Sequence, residues 1–128
     1  MGLLLDTHLL IWALGAPEKL PSSARQLIDD PIHLPAFSTA SIWELAIKQS
    51  LARSGNPIDA ALLRRTLLRD GYEELPVLGI HATAVAGLPL IHKDPFDRLL
   101  VAQATVEGIT LLTSDAHVAR YPVPIRRV

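Results

Sequence analysis

The sharpest contrast between apolar and polar positions comes at the start of the chain. Leu3-Leu4-Leu5 is a short apolar run that ends in Asp6, and apolar residues then return at helical spacing from Leu9 to Leu14, up to Gly15. The run reads as a buried strand and the spacing as a helix. Ser22 predicts an N-cap, with Ala24, Leu27 and Ile28 on one face of a short helix that Asp29-Asp30-Pro31 ends. Ile32 to Phe37 predicts a second strand, which Pro35 pushes toward an irregular or edge position. Ser38-Thr39-Ala40-Ser41 leads into a strong helix in which Ile42, Trp43, Leu45, Ala46 and Ile47 make a wide apolar face, fraying by Arg53-Ser54-Gly55-Asn56-Pro57. Asp59 predicts the cap of the next helix, with Leu62, Leu63, Leu67 and Leu68 on one side and Arg64, Arg65 and Arg69 on another, closed by Asp70-Gly71.

Beyond it the pattern weakens. Glu74 to Leu78 reads as a weak strand and Ile80 to Ala86 as a short helix ending near Gly87. Asp94-Pro95 opens a longer helix running to Gly108. Ile109 to Thr113 is the clearest strand of all, followed by Ser114-Asp115, a short helix from Ala116, and an edge strand over Val123-Pro124-Ile125. Strands alternating with helices predict right-handed βαβ units and an α/β fold. The expectation is a three-layer α/β/α sandwich on a mostly parallel sheet of about five strands. The first and fourth strands, the most apolar, belong at its centre.

Composition narrows this picture. The 128 residues predict one domain, 1–128, and 49% apolar residues supply a core. There is no Cys, so disulfides and thiolate metal sites are excluded, and a metal must use carboxylate or imidazole. The formal net charge of −1 announces no general attraction to nucleic acid. The apolar runs are too short to span a membrane, and the first residues lack the pattern of a signal peptide, so the expected location is the cytoplasm.

The candidate chemistry lies in four acids. Asp6 and Asp115 directly follow the two most apolar strands, so central parallel strands carry both to one edge of the sheet. Glu44 and Asp97 sit about one turn into helices that begin at that edge. Each has an ordinary explanation as well: Asp6 and Asp115 as helix caps, Glu44 as the i,i+4 partner of Lys48, Asp97 as a first-turn acid. One such coincidence is cheap; four at equivalent places are less so. Carboxylates gathered in one crevice either take up protons or bind cations. An all-oxygen set points to Mg²⁺ or Mn²⁺, and such ions serve attack on phosphorus. Thr7, Thr113 and Ser114 stand beside the strand-end acids and can orient them.

Other residues carry less. None of His8, His33, His81, His92 and His117 falls at the paired spacing of a zinc helix, though His8 and His92 lie near the acids and can touch substrate or a carboxylate. Trp12 and Trp43 fall on apolar helical faces, which favours packing over base stacking. Glycine-rich phosphate loops and the G-x-S-x-G elbow are missing, which leaves nucleotide-cofactor and serine-hydrolase chemistry with little support.

Taken in order, Leu3-Leu4-Leu5-Asp6-Thr7-His8, Ser41-Ile42-Trp43-Glu44-Leu45-Ala46-Ile47-Lys48, His92 to Ala104 and Leu111-Leu112-Thr113-Ser114-Asp115 resemble a PIN domain. More narrowly they resemble the VapC-type toxins of bacterial toxin–antitoxin pairs. The resemblance covers essentially the whole chain. It implies a ribonuclease dependent on Mg²⁺ or Mn²⁺, with catalytic acids at Asp6, Glu44, Asp97 and Asp115 and the metal held by Asp6, Asp97 and Asp115. It places the small hydroxyl after the first acid on Thr7 and the one before the last acid on Thr113 or Ser114. Asp94 and Arg98 belong to the subgroup's motif, Arg98 as a phosphate or partner contact or else as the ion-pair partner of an acid. It also implies a homodimer, a cognate antitoxin that inserts a segment near the acids, and an RNA substrate, transfer RNA being the one to try. A binding module acting through a partner, or a metal-dependent phosphatase or DNA nuclease, would suit the same acids.

Overall fold

The computed structural model describes residues 2–52 and 58–128, so the predicted fraying at Arg53 to Pro57 lies outside the described residues. The five strands are β1 (Gly2–Leu5), β2 (Leu34–Ser38), β3 (Glu73–Leu75), β4 (Thr110–Thr113) and β5 (Ile125–Arg127). They pair in the order β3-β2-β1-β4-β5, and every pairing is parallel. The two most apolar strands are therefore neighbours at the heart of the sheet. The helices are α1 (Thr7–Gly15), α2 (Ser22–Asp29), α3 (Thr39–Leu51), α4 (Ala60–Arg69), α5 (Gly79–Ala84) and α6 (Pro95–Glu107).

The period-2 alternation of strands divides the core. Leu3, Leu5, Phe37 and Leu112 point to one face and pack with residues of α1 to α4. Leu4, Ala36 and Leu111 point to the other and pack on Leu100, Val101 and Ala104 of α6 and on Val118 and Tyr121. The result is the expected three-layer sandwich. Among the described residues no helix is long and apolar enough to cross a membrane.

Several local expectations shift. Pro35 lies in an inner strand. It is tolerated because β3 pairs only with Ala36 to Ser38, so at Pro35 the β3 side is bare and the missing N–H leaves no partner wanting. Ser22 is the first residue of α2 and the N-cap position is Pro21, which has no side chain to bond an amide. The short helix expected from Ala116 is a turn followed by a 3₁₀ segment, Val118–Arg120. The last strand begins at Ile125, beyond Val123 and Pro124. Trp43 is 60% exposed: α3 turns Leu45 and Ile42 inward and leaves the indole edge-on to Phe96, ring centres 5.3 Å apart.

Candidate active site

Parallel strands deliver their C-terminal ends to one edge, where the acid that follows β1 meets the last residue of β4. Asp6 is the N-cap of α1 and is 5% exposed. Its Oδ1 accepts from the Leu9 amide at 2.9 Å and its Oδ2 from the Thr113 hydroxyl at 2.6 Å. Both oxygens are thus fixed, one by α1 and one by β4. Burial raises the Asp6 carboxyl above its ordinary value, against the pull of Thr113 and the Leu9 amide. Thr113 in turn accepts from the Asp115 amide at 3.0 Å, so one hydroxyl ties the acid after β1 to the acid after β4.

Asp97 comes from the first turn of α6. Asp94 caps that helix, its Oδ1 accepting from the amides of Phe96 and Asp97 at 2.9 and 3.0 Å, and Pro95 supplies the pre-set first turn. Asp97 Oδ2 accepts from His92 Nε2 at 2.8 Å. The Asp97 carboxyl is pushed up to about 6, first by burial and further by the negative charges of Asp94 and Asp6, with His92 acting the other way. Burial is the main cause, and the two neighbouring carboxylates add to it.

Asp115 is different. Its Oδ1 accepts from the amides of His117 and Val118 at 2.7 and 3.2 Å, which closes the turn after β4. Burial raises its carboxyl, but the two amides, His92 and His117 outweigh that and the net position is below the ordinary value. The His92 and His117 rings lie nearly parallel, 8° and 5.8 Å apart, beside these acids.

Glu44 is 9% exposed and bonded at both oxygens. Lys48 Nζ reaches Oε2 at 3.0 Å, the expected i,i+4 pair. Thr7 Oγ1 is 2.9 Å from Oε1 and 2.9 Å from Ser41 Oγ. A carboxylate only accepts, so the Thr7 proton goes to Glu44 and the Ser41 contact is between two hydroxyls. Glu44 is therefore tied to the residue that follows Asp6.

Among the described residues, one group of potential ligand atoms lies within 4.8 Å of one another: those of His92, Asp94 and Asp97. It shares Asp97 with the predicted metal set Asp6, Asp97 and Asp115. The carboxylate oxygens suit a hard divalent cation, and the His92 imidazole in this group is turned to Asp97 Oδ2.

The sequence profile described as the PIN domain matches residues 3–124. The chain belongs to the PIN-domain family. Ribonuclease VapC22 of Mycobacterium tuberculosis is 33% identical to it over 128 residues, 95% of either chain. The fold is shared with solved structures of lower identity. VapBC2 from Rickettsia felis, bound to a DNA fragment from its promoter, superposes with a TM-score of 0.72 at 16% identity, over 99% of this chain and 98% of that one. VapBC-5, a toxin–antitoxin structure from Mycobacterium tuberculosis, gives 0.61 at 22% identity over 99% and 98%.

Three motif residues of this PIN domain sit where local spacing did not determine. Of the two hydroxyls before Asp115, Thr113 is buried and holds Asp6 through its side chain, while Ser114 touches Asp6 through its backbone. Arg98 is in no ion pair among the described residues. It donates to the carbonyls of Pro89 and Val85 at 2.9 and 3.1 Å and to the Tyr121 hydroxyl at 3.0 Å. Tyr121 escaped sequence reasoning, and Ser41 stood in a quoted motif without a role: each joins the site through a partner 23 or more residues away.

Proposed function

We propose that this chain is a divalent-cation-dependent endoribonuclease of the VapC type, held inactive by a cognate antitoxin and acting as a homodimer in the cytoplasm. The observation that carries the reading is the convergence of ligand atoms of His92, Asp94 and Asp97 within 4.8 Å of one another, beside the buried Asp6 carboxylate whose charge Asp97 feels. The 33% identity to a VapC ribonuclease supplies the substrate class.

Asp6, Asp97 and Asp115 would hold Mg²⁺ or Mn²⁺, with Glu44 as the fourth acid. When bound, the ion lowers the pKa of a coordinated water and stabilises the charge on the leaving oxygen. The chain supplies the rest. Leu9 and Thr113 fix Asp6, Thr7 and Lys48 fix Glu44, and the Asp115 turn is closed by its own amides. Hydrolysis adds the water oxygen to phosphorus, breaks one P–O bond to ribose and leaves a proton for the released oxygen. Without a cation this acidic mouth repels a phosphodiester, so the acids also act as a gate on substrate. Thr7, Asp94, Thr113 and Ser114 serve as supports, and Arg98 holds the loop before α6.

The test is Asp6→Asn, which removes a charge and keeps the N-cap acceptor. It should fold, judged by circular dichroism, and lose cleavage of RNA and growth inhibition. Wild-type cleavage should stop on chelation and return with Mg²⁺ or Mn²⁺. Full cation-dependent activity in Asp6→Asn would overturn the mechanism. Transfer RNA, mixed RNA, DNA and a phosphomonoester in parallel assign the substrate, and co-purification with an antitoxin assigns the partner.

A further inference from the structure

The histidine at the end of the loop before α6 has a more exact setting than a chance neighbour of Asp97. Its Nε2–H donates to Asp97 Oδ2 at 2.8 Å. Its backbone is gripped from both sides by one hydroxyl: the His92 N–H donates to Tyr121 Oη at 3.1 Å, and Tyr121 Oη donates to the His92 carbonyl at 3.2 Å. Arg98 Nη1 donates to the same Oη at 3.0 Å. A hydroxyl offers one proton and two acceptor sites, and Tyr121 uses all three. The ring of Tyr121 is buried in the core against the sheet face, with the residue 3% exposed. Arg98 completes the frame by donating to Pro89 and Val85, which fixes the segment leading to His92. His117 stacks on the other side of the imidazole.

We infer that His92 is a positioning residue for Asp97, and that the buried Tyr121 hydroxyl and Arg98 hold it in place. The inference rests on the proposed function and adds three side chains to it. Asp97 starts a helix turn whose backbone is already set by the Asp94 cap, so what remains free is the rotation of its carboxylate. The bond from His92 removes that freedom by holding Oδ2. Partners of this kind orient carboxylates that bind cations, and losing one weakens metal affinity roughly 10–100-fold.

Mn²⁺ titrated into the full-length protein by calorimetry reads this without any RNA. His92→Leu should lose affinity by roughly 10–100-fold. His92→Gln, whose amide N–H reaches a similar point, should recover most of that loss. Tyr121→Phe, which deletes one oxygen bonded to His92 and Arg98 and to none of the acids, should show a smaller loss of the same sign. Thermal midpoints confirm folding, and if His92→Leu fails to fold, His92→Gln and Tyr121→Phe carry the comparison. With RNA, kcat should fall in His92→Leu while KM stays near the wild-type value.

The inference is overturned if His92→Leu or Tyr121→Phe binds Mn²⁺ as the wild type does while Asp6→Asn does not; the proposed function then survives. It is overturned if His92→Gln is no better than His92→Leu. Strong nitrogen coupling from His92 in the electron spin-echo spectrum of bound Mn²⁺ would make His92 a ligand and also overturn it. A wild type without any Mn²⁺ site overturns both readings.

Discussion

Asp97 shows how the chemistry of the site is written against stability. Its carboxyl ordinarily titrates at 3.8 and here at about 6. Between those values the folded chain keeps a proton that the unfolded chain has released. The stability of the metal-free protein therefore falls as pH rises from about 4 to about 6, and this group adds no further slope above that. The ionised Asp97 therefore works against the metal-free fold at neutral pH, by an amount that its partial exposure to solvent reduces. Asp97→Asn should then raise the urea midpoint at pH 7.5 and leave it nearly unchanged at pH 4. A variant less stable than the wild type at pH 7.5 would refute this. Added Mn²⁺ should reverse the order, stabilising the wild type and not the variant. The positions of the acids were legible in the sequence because Asp6 and Asp115 follow strands and Glu44 and Asp97 lie early in helices. Their partners were not. His92 lies within reach of Asp97 by sequence, yet its orientation depends on Tyr121, 29 residues away, and no local spacing encodes that contact.

The element that delivers Asp97 is α6, and its two ends were readable for the same reason: capping is local chemistry. Asp94 and Pro95 start it, and Gly108 ends it at φ 67°, with its amide bonded to the Ala104 carbonyl. Gly108→Ala should cost about 1 kcal/mol, since a Cβ disfavours that left-handed backbone. It should leave Mn²⁺ affinity untouched, because the strain sits at the opposite end of the helix; a change in affinity with an unchanged melting temperature would contradict this. The middle of α6 was less legible. Gln103 is fully buried, bonded to Ser38 at the end of β2 and to the Pro76 carbonyl. It reads from sequence as a polar residue among apolar ones, and only the sheet order shows that α6 crosses over β2. Gln103→Leu should destabilise by roughly 1–3 kcal/mol, the usual penalty for stranding a buried partner, here the Ser38 hydroxyl. The misread elements have similar causes. Pro35 was judged by the rule for central strands, and it escapes because β3 is short. The residues after Asp115 were judged helical, but the Asp115 carboxylate takes two amides into a turn first.

For the whole molecule the question is how a chain of net charge −1, with its acids gathered at one edge, takes a polyanion. The basic face predicted at Arg64, Arg65 and Arg69 is a poor answer. Arg64 is bonded through both Nε and Nη2 to Glu74, which ties α4 to β3, and Arg69 lies 3.5 Å from Asp70. Lys48 is paired with Glu44, while Arg25 and Arg98 bond backbone carbonyls. Five of the eleven described Lys and Arg side chains are thus engaged within the fold. RNA binding should then depend on divalent cation at the acids more than on release of counterions from a basic surface. The slope of log K against log salt is about −0.7 for each phosphate neutralised on a single strand. Measured by fluorescence anisotropy at fixed Mg²⁺, using a cleavage-deficient Glu44→Gln variant, its magnitude should stay below about 2, few contacts by that rule. Chelation should weaken binding more than a fourfold rise in monovalent salt does. A steep slope, or binding indifferent to chelation, would mean that unpaired basic side chains elsewhere carry the RNA. Arg65→Ala against Arg64→Ala then locates them: the first would reduce the slope, and the second would lower stability by freeing β3 from α4.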